Sequence, residues 1–97
     1  MRTGSNYTRV AAGQTDAAIE SEQTITVYGI VATNAGAATA AILIEESDGS
    51  TLIQTIQVPA GDSVPVMFAN GQLFDNGMNV TTPADCTCTV YHSHGGS

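Results

Sequence analysis

Charged residues are scarce in this sequence, and positively charged ones are nearly absent. They make up 11% of 97 residues, with two Lys or Arg against nine Asp or Glu, so the formal net charge is −7. Because phosphate contacts need lysine and arginine, we expect no nucleic-acid binding and no binding to an anionic membrane surface. No apolar run approaches the ~20 residues that span a bilayer, and no basic segment followed by an apolar one predicts a signal peptide.

Residues suited to catalysis are also few. Nucleophilic catalysis needs a positioned base, but the two histidines, His92 and His94, both stand near the C-terminus. The sequence has no Gly-x-Ser-x-Gly segment and no glycine-rich phosphate loop. Glu45 and Glu46 are paired carboxylates, yet consecutive strand residues point to opposite faces of a sheet. With no tryptophan, an aromatic platform for sugars is hard to build. We therefore expect a protein that is not an enzyme and binds no cofactor.

The two cysteines, Cys86 and Cys88, lie two residues apart in a segment that alternates like a strand, CTCTVY. Their side chains share a face, and an extended Cys-x-Cys rarely closes a disulfide, so we expect two buried free thiols. With His92 and His94 they could offer four zinc ligands. The spacing is not that of a standard finger, and a straight strand spreads the ligands too far apart. We expect no metal site here and two solvent-exposed histidines. The acidic segment Glu20-Ser21-Glu22 is likewise expected to be a solvated corner, since it has too few ligands for a cation.

The sequence does contain many β-type segments separated by turn signals. The central stretch, Gln23–Gly61, is interpreted as a meander of three strands. Its first strand is dense in β-branched residues, and its second, Ala37–Glu46, is assigned as a strand although its alanines would also suit a helix. Asn34-Ala35-Gly36 predicts the first reversal. Asp48-Gly49 predicts the second, as a type I′ hairpin turn.

Further strands are predicted on both sides of this stretch. They are Tyr7–Ala12, Thr15–Ile19, a strand with Val64, Val66 and Phe68 facing inward, a strand starting at Met78, and Cys86–Tyr91. Pro65 indicates an edge strand or a bulge, and Asn70-Gly71 and Asn76-Gly77 indicate two more reversals. About eight short antiparallel strands predict an all-β fold, a single small β-sandwich of jelly-roll type. The whole chain, 1–97, is expected to be one domain, with a flexible arm at 1–6 and a flexible tail at 93–97.

One predicted strand has apolar side chains on both faces. One face carries Ile25, Val27 and Val31, and the other carries Tyr28, Ile30 and Ala32. Either both faces are covered within the domain, or the face with Tyr28, Ile30 and Ala32 packs against a neighbouring chain. The second interpretation makes these three residues the candidate partner interface.

The run YGIVATNAGAATAAILIEESDGSTLIQTIQVPAGDSVPVMFANGQLFDNGMNV, followed by CTCTVYH, resembles a group of small virion proteins of tailed bacteriophages. The resemblance covers about Ala17–Tyr91 and consists of turns and strand faces; the Cys-x-Cys departs from the usual threonine and valine. It implies a head decoration or cement subunit, or a tail component. Such a subunit would assemble in the host cytoplasm, bind the major capsid protein or other virion proteins, and form homo-oligomers.

A receptor- or glycan-binding knob on the head or tail is the alternative function. Such a knob would need exposed aromatic side chains at loop tips. Phe74 and Tyr91 are the candidates for that role.

Overall fold

The computed structural model describes residues 6–46 and 52–93, which form eight β-strands and no helix. In chain order the strands are β1 (Asn6–Val10), β2 (Ala17–Ile19), β3 (Ile25–Asn34), β4 (Ala40–Glu46), β5 (Leu52–Val58), β6 (Ser63–Phe74), β7 (Met78–Thr81) and β8 (Cys86–His92). They make two four-stranded sheets, sheet I in the order β1-β8-β3-β6 and sheet II in the order β2-β7-β4-β5. All strand pairs are antiparallel. The predicted all-β sandwich is confirmed.

The strand order follows from a chain that folds back on itself near its middle. Strand β1 pairs with β8, β2 with β7, β3 with β6 and β4 with β5, so the two halves of the chain run side by side as a double ribbon. The additional pairs β3–β8 and β4–β7 join successive parts of this ribbon within each sheet. This wrapping is the eight-stranded jelly-roll arrangement.

The predicted meander is wrong at its first turn, because β3 and β4 belong to different sheets. The segment after Asn34 crosses from one sheet to the other, and the buried Asn34 side chain holds it in place. Its Nδ2 donates to the carbonyl oxygens of Ala38 at 2.8 Å and Val58 at 3.0 Å, while its Oδ1 accepts from the Gly36 N–H at 2.8 Å. The β4–β5 pairing is confirmed. The predicted turn at Asp48-Gly49 lies outside the described residues, and its type stays a prediction.

The core lies between the two sheets and is built almost entirely from aliphatic side chains. Its buried members include Val10, Ile19, Ile25, Val27, Ile30, Ala32, Ile42, Ile44, Ile56, Val58, Phe74, Met78, Val80 and Val90. Val64, Val66 and Phe68 pack against it, as the alternation in β6 predicts. Strand β6 is also an edge strand, which agrees with Pro65 in its sequence.

Strand β6 is irregular where the sequence predicts a reversal at Asn70-Gly71, and that prediction is wrong. The strand continues through both residues to Phe74. On β6, Met67 lies opposite Gly29 and Gln72 lies opposite Val27, so residues 68–71 bulge out opposite a single residue of β3. The reversal predicted at Asn76-Gly77 is confirmed and carries the chain from sheet I to sheet II.

The last described residue of the chain, Ser93, is hydrogen-bonded to the backbone of β3. Ser93 falls in the predicted flexible tail, but its N–H donates to the Thr26 carbonyl at 2.8 Å and its Oγ accepts from the Thr26 N–H at 2.9 Å. Asn6, which falls in the predicted flexible arm, begins β1.

Over the two described stretches of the chain, nothing helical has the length and apolar character that crossing a bilayer would require.

Candidate interaction surface

Strand β3 contains a β-bulge at Tyr28. Against β8, Val27 lies opposite His92 and Gly29 lies opposite Tyr91, which leaves Tyr28 as an extra residue with no partner in the register. An extra residue of this kind shifts the side-chain alternation by one position. Before the bulge the odd-numbered residues of β3 face the core, and after the bulge the even-numbered residues do.

This shift corrects the predicted interface. Ile25 and Val27 face the core before the bulge, and Ile30 and Ala32 face the same core after it, each of the latter two at 0% exposure. Ile30 and Ala32 therefore cannot contact a partner. Tyr28 is 40% exposed and is the only one of the three predicted interface residues that is accessible. Its contact with a partner stays a prediction.

A row of apolar side chains crosses the outer face of sheet I. Tyr7 on β1 lies opposite Tyr91 on β8, Tyr91 lies opposite Gly29 on β3, and Gly29 lies opposite Met67 on β6. The two tyrosine rings are in contact, with centroids 6.2 Å apart and planes tilted by 47°. Tyr7, Tyr91 and Met67 are 69%, 41% and 73% exposed. The row therefore presents apolar groups to the solvent from both edges of the sheet.

Gly29 has no side chain, and this leaves room for the Met67 side chain to lie over β3 and extend the row. A Cβ at residue 29 would stand 2.8 Å from the Met67 Sδ and 3.0 Å from its Cε, so the end of the Met67 side chain occupies the space above the glycine. A glycine inside a strand often marks such a close approach. The flexible thioether of methionine suits irregular contacts of this kind. The Met67 side chain, on the edge strand β6, thus covers Gly29 on the neighbouring strand β3.

Two further side chains extend the row along β3 and β6. The Tyr28 ring lies beside Gly71, 3.6 Å from the position of a Cβ there, and Leu73 lies opposite Thr26 on the outer side of the sheet. We call Tyr7, Tyr28, Met67, Leu73 and Tyr91 the apolar band. Among the described residues, these are five of the seven large hydrophobic side chains that are exposed.

The charge of sheet I differs from that of the whole protein. Arg9 is the only Asp, Glu, Lys or Arg in its four strands, although the formal net charge of the chain is −7. Beyond the apolar band, the outer face continues as the row Arg9, Thr89, Val31 and Pro65. A partner that covers this face therefore has no carboxylate of these strands to desolvate, and Arg9 is the one charged side chain of these strands that it would have to pair or leave in water.

The two cysteines are free and buried, as predicted. Both lie on β8 and face the core, where they occupy the same side of the strand as Val90. Burial raises the pKa of Cys88 to about 12. Burial also raises the pKa of Cys86, and the nearby charge of Asp85 adds to that effect. Both thiols therefore stay protonated at neutral pH and are poor nucleophiles in the folded protein.

His92 is buried, so the prediction that it is exposed is wrong. It falls on the core-facing side of β8, where its Nδ1 lies 2.6 Å from the carbonyl oxygen of Ser93 and its Nε2 lies 2.8 Å from the Thr8 Oγ1. Both ring nitrogens are therefore occupied by hydrogen bonds. His94 lies outside the described residues.

The acidic residues do not assemble into a site in the parts of the chain that the structure describes, where no group of three or more His, Cys, Asp or Glu could hold a metal ion. Glu20 and Glu22 both adopt left-handed backbone conformations in a turn that the Glu22 N–H anchors to the Asn76 carbonyl at 2.9 Å. Glu45 and Glu46 lie opposite Asn79 and Met78 on β7, on successive and therefore opposite-facing positions.

Phe74 does not meet the requirement of the alternative function. It is fully buried in the core, so it cannot act as an exposed aromatic at a loop tip. Tyr91 is exposed, but it lies within β8 and against Tyr7 rather than at a tip.

Comparison with protein families and curated proteins gives no relative from which a function could be transferred. No protein-family model matches the chain, and no curated protein shows significant similarity to it. We therefore base the functional proposal on the outer face of sheet I and on the resemblance of the sequence to small virion proteins.

Proposed function

We propose that the protein is a non-enzymatic structural subunit that binds other protein subunits through the apolar band. In the setting that the resemblance implies, it would be a decoration or cement subunit on the capsid of a tailed bacteriophage, bound to the major capsid protein of the assembled head. The observation that carries the proposal is the concentration of five exposed apolar side chains on one sheet face whose strands contain no carboxylate.

The composition of the band favours a protein partner. Tyrosine and methionine are enriched in the centres of protein interfaces, while lysine and glutamate are depleted there. Covering these side chains would contribute about 25 cal/mol for each Å² of apolar surface removed from water. A single contact of a small domain gives modest affinity, but a capsid repeats the contact by symmetry.

The jelly-roll fold is compatible with this proposal without deciding it. Viral capsid domains, lectin domains and cupins all use this arrangement of eight strands. Since one fold serves many functions, the fold supports the proposal only by analogy. The sharper support is the location of the band, whose five exposed apolar side chains share the outer face of one sheet.

The test is binding of the purified protein to assembled heads that lack it, with unassembled coat subunits as the comparison. We expect binding to heads that persists at high salt, because screening weakens exposed charge pairs and leaves apolar contacts intact. Met67→Lys should weaken binding by about tenfold or more while the protein stays folded. Ala18→Lys is the control, since Ala18 is exposed on β2 in the other sheet. Equal binding by the two variants would contradict the role of the band.

A glycan- or receptor-binding knob is the second candidate, and the exposed Tyr7–Tyr91 ring pair is the observation that favours it. Aromatic faces can stack against the apolar faces of sugars. Binding to host cells or to a glycan array, abolished by Tyr91→Ala and accompanied by no binding to heads, would replace the decoration proposal with this one.

A further inference from the structure

The four edge strands of the two sheets are protected to different degrees. An edge strand presents unpaired N–H and C=O groups, and proteins block such edges with short strands, charges, prolines or bulges. Strand β2 has three residues, and β1 has five and carries Arg9. Strand β6 contains Pro65 and the bulge at residues 68–71. Three of the four edges thus carry a recognisable block against pairing.

Strand β5 is the fourth edge and has the weakest protection. Its sequence, LIQTIQV, runs for seven residues with no charge, proline or glycine. Its register against β4 shifts once, at Ile53, and is regular from Gln54 to Val58. Leu52 and Ile53, at its first end, are the two exposed large hydrophobic residues outside the apolar band in the part of the chain that the structure describes. Among the described residues, no strand pairs with the outer edge of β5, so its regular part can accept another strand.

We propose that β5 pairs in antiparallel fashion with β5 of a second copy of this chain, so that the two copies of sheet II join into one eight-stranded sheet. Directly opposite residues of an antiparallel pair share a face. A two-fold axis that passes through Thr55 or Ile56 places even-numbered residues of one strand opposite even-numbered residues of the other. Ile56 and Val58 of both copies therefore stay on the inner side of the joined sheet. The strand is thus complementary to itself, and no other sequence is needed to match it.

Electrostatics favours a second copy at this edge. Two chains of formal net charge −7 repel one another, and the repulsion is least where neither contributes a carboxylate. The outward side chains of β5, Thr55 and Gln57, are neutral and can hydrogen-bond across the pair. Leu52 and Ile53 of one copy would lie beside the opposite end of the partner strand, which would reduce their exposure.

Two-fold pairing also closes the assembly. The same edge is used by both copies, so the interface is isologous and stops at a dimer instead of growing into a fibre. The pairing is independent of the proposed function, because it uses an edge of sheet II and leaves the apolar band on sheet I uncovered.

The experiment measures the mass of the full-length protein by light scattering and sedimentation over a wide concentration range. The variants are Thr55→Lys and Gln57→Lys on β5 and Met67→Lys on the apolar band, each checked for folding by circular dichroism. We expect a dimeric wild type, an increase of about tenfold or more in the dimer dissociation constant for each β5 variant, and an unchanged dimer for Met67→Lys. Amide hydrogen exchange should show added protection at those alternate amides of residues 54–58 that point away from β4, and Thr55→Lys should remove it.

Several results would overturn the pairing. A wild type that stays monomeric at every concentration, or a dimer that survives both β5 variants, would each do so. A dimer that Met67→Lys dissociates would place the contact on the apolar band instead. Since Thr55 and Gln57 take no part in the band, loss of head binding with an intact β5 dimer would reject only the proposed function, and the reverse result would reject only the pairing.

Discussion

The Met67 thioether lies over Gly29, with its Sδ 2.8 Å from the position that a Cβ of residue 29 would occupy. Gly29→Ala should therefore force Met67 to move. The atoms in the way are at the free end of a flexible side chain, so we expect the free energy of unfolding to fall by less than about 1 kcal/mol. The Met67 methyl resonance should shift, and binding through the apolar band should weaken.

The control for this prediction is Gly29→Ala in a Met67→Ala background, where the new methyl group meets no thioether. Chemical denaturation should then show little effect of the glycine substitution. A loss of more than about 2 kcal/mol in either background would mean that the alanine methyl is opposed by something less mobile than Met67.

Replacement by serine should lower the free energy of unfolding much more at Ile30 than at Tyr28. Ile30 is fully buried, so Ile30→Ser leaves a cavity and buries a hydroxyl, and we expect it to lower the free energy of unfolding by about 3 kcal/mol or more. Tyr28→Ser removes a partly exposed side chain and should cost about 1 kcal/mol or less. Urea denaturation of the two single variants decides the matter. Equal stability losses would contradict the position of the bulge.

The same pair of residues shows how far the sequence could predict the site. Alternation alone grouped Tyr28 with Ile30 and Ala32, because a strand without interruption puts even-numbered residues on one face. The bulge is defined by the positions of His92 and Tyr91 on β8, so local sequence could not locate it. By contrast, the inward orientation predicted for Val64, Val66 and Phe68 is confirmed, and it leaves Met67 on the outer face, because nothing interrupts the alternation in that part of β6.

The fold was predictable to the same limited extent. The turn residues Asn34-Ala35-Gly36 and Asn76-Gly77 located the ends of β3 and β6, and the alternation of β8 placed both cysteines in the core. Which strands are neighbours was not predictable, since the turn residues after Asn34 serve a crossing between sheets as well as a hairpin. The Tyr7–Tyr91 contact was missed for this reason, because it depends on the pairing of the first strand with the last.

The buried thiols should make the protein less stable in alkali. An unfolded thiol has a pKa near 8.5, whereas burial raises the pKa of Cys88 to about 12. Between these values the unfolded chain releases a proton that the folded chain keeps. The stabilisation is therefore complete below about pH 8.5 and is lost as the pH rises toward about 12, at about 1.4 kcal/mol per pH unit.

Urea denaturation at neutral pH and at about pH 10.5 measures this dependence. Cys88→Ala is the control, because it changes the stability at every pH but removes the proton release of one thiol. We expect a shallower decline for Cys88→Ala than for the wild type. Parallel declines would contradict the burial of a protonated Cys88.

A thiol reagent should also label both cysteines after denaturation without reductant and neither of them in the folded protein.

The hydrogen bonds of His92 specify its tautomer and give the last prediction. A carbonyl oxygen can only accept, so the 2.6 Å contact with Ser93 places the proton of the neutral ring on Nδ1, and Nε2 accepts from the Thr8 hydroxyl at 2.8 Å. Thr8→Val removes that donor, so the Nε2 of the buried His92 ring loses its hydrogen bond. We expect a loss of about 1–3 kcal/mol in the free energy of unfolding, while Thr8→Ser, which keeps the hydroxyl, should lose much less. Nitrogen-15 NMR of the imidazole in the wild type should show the Nδ1-protonated form. An Nε2-protonated ring, or equal stability of the valine and serine variants, would contradict this arrangement at the junction of the first and last strands.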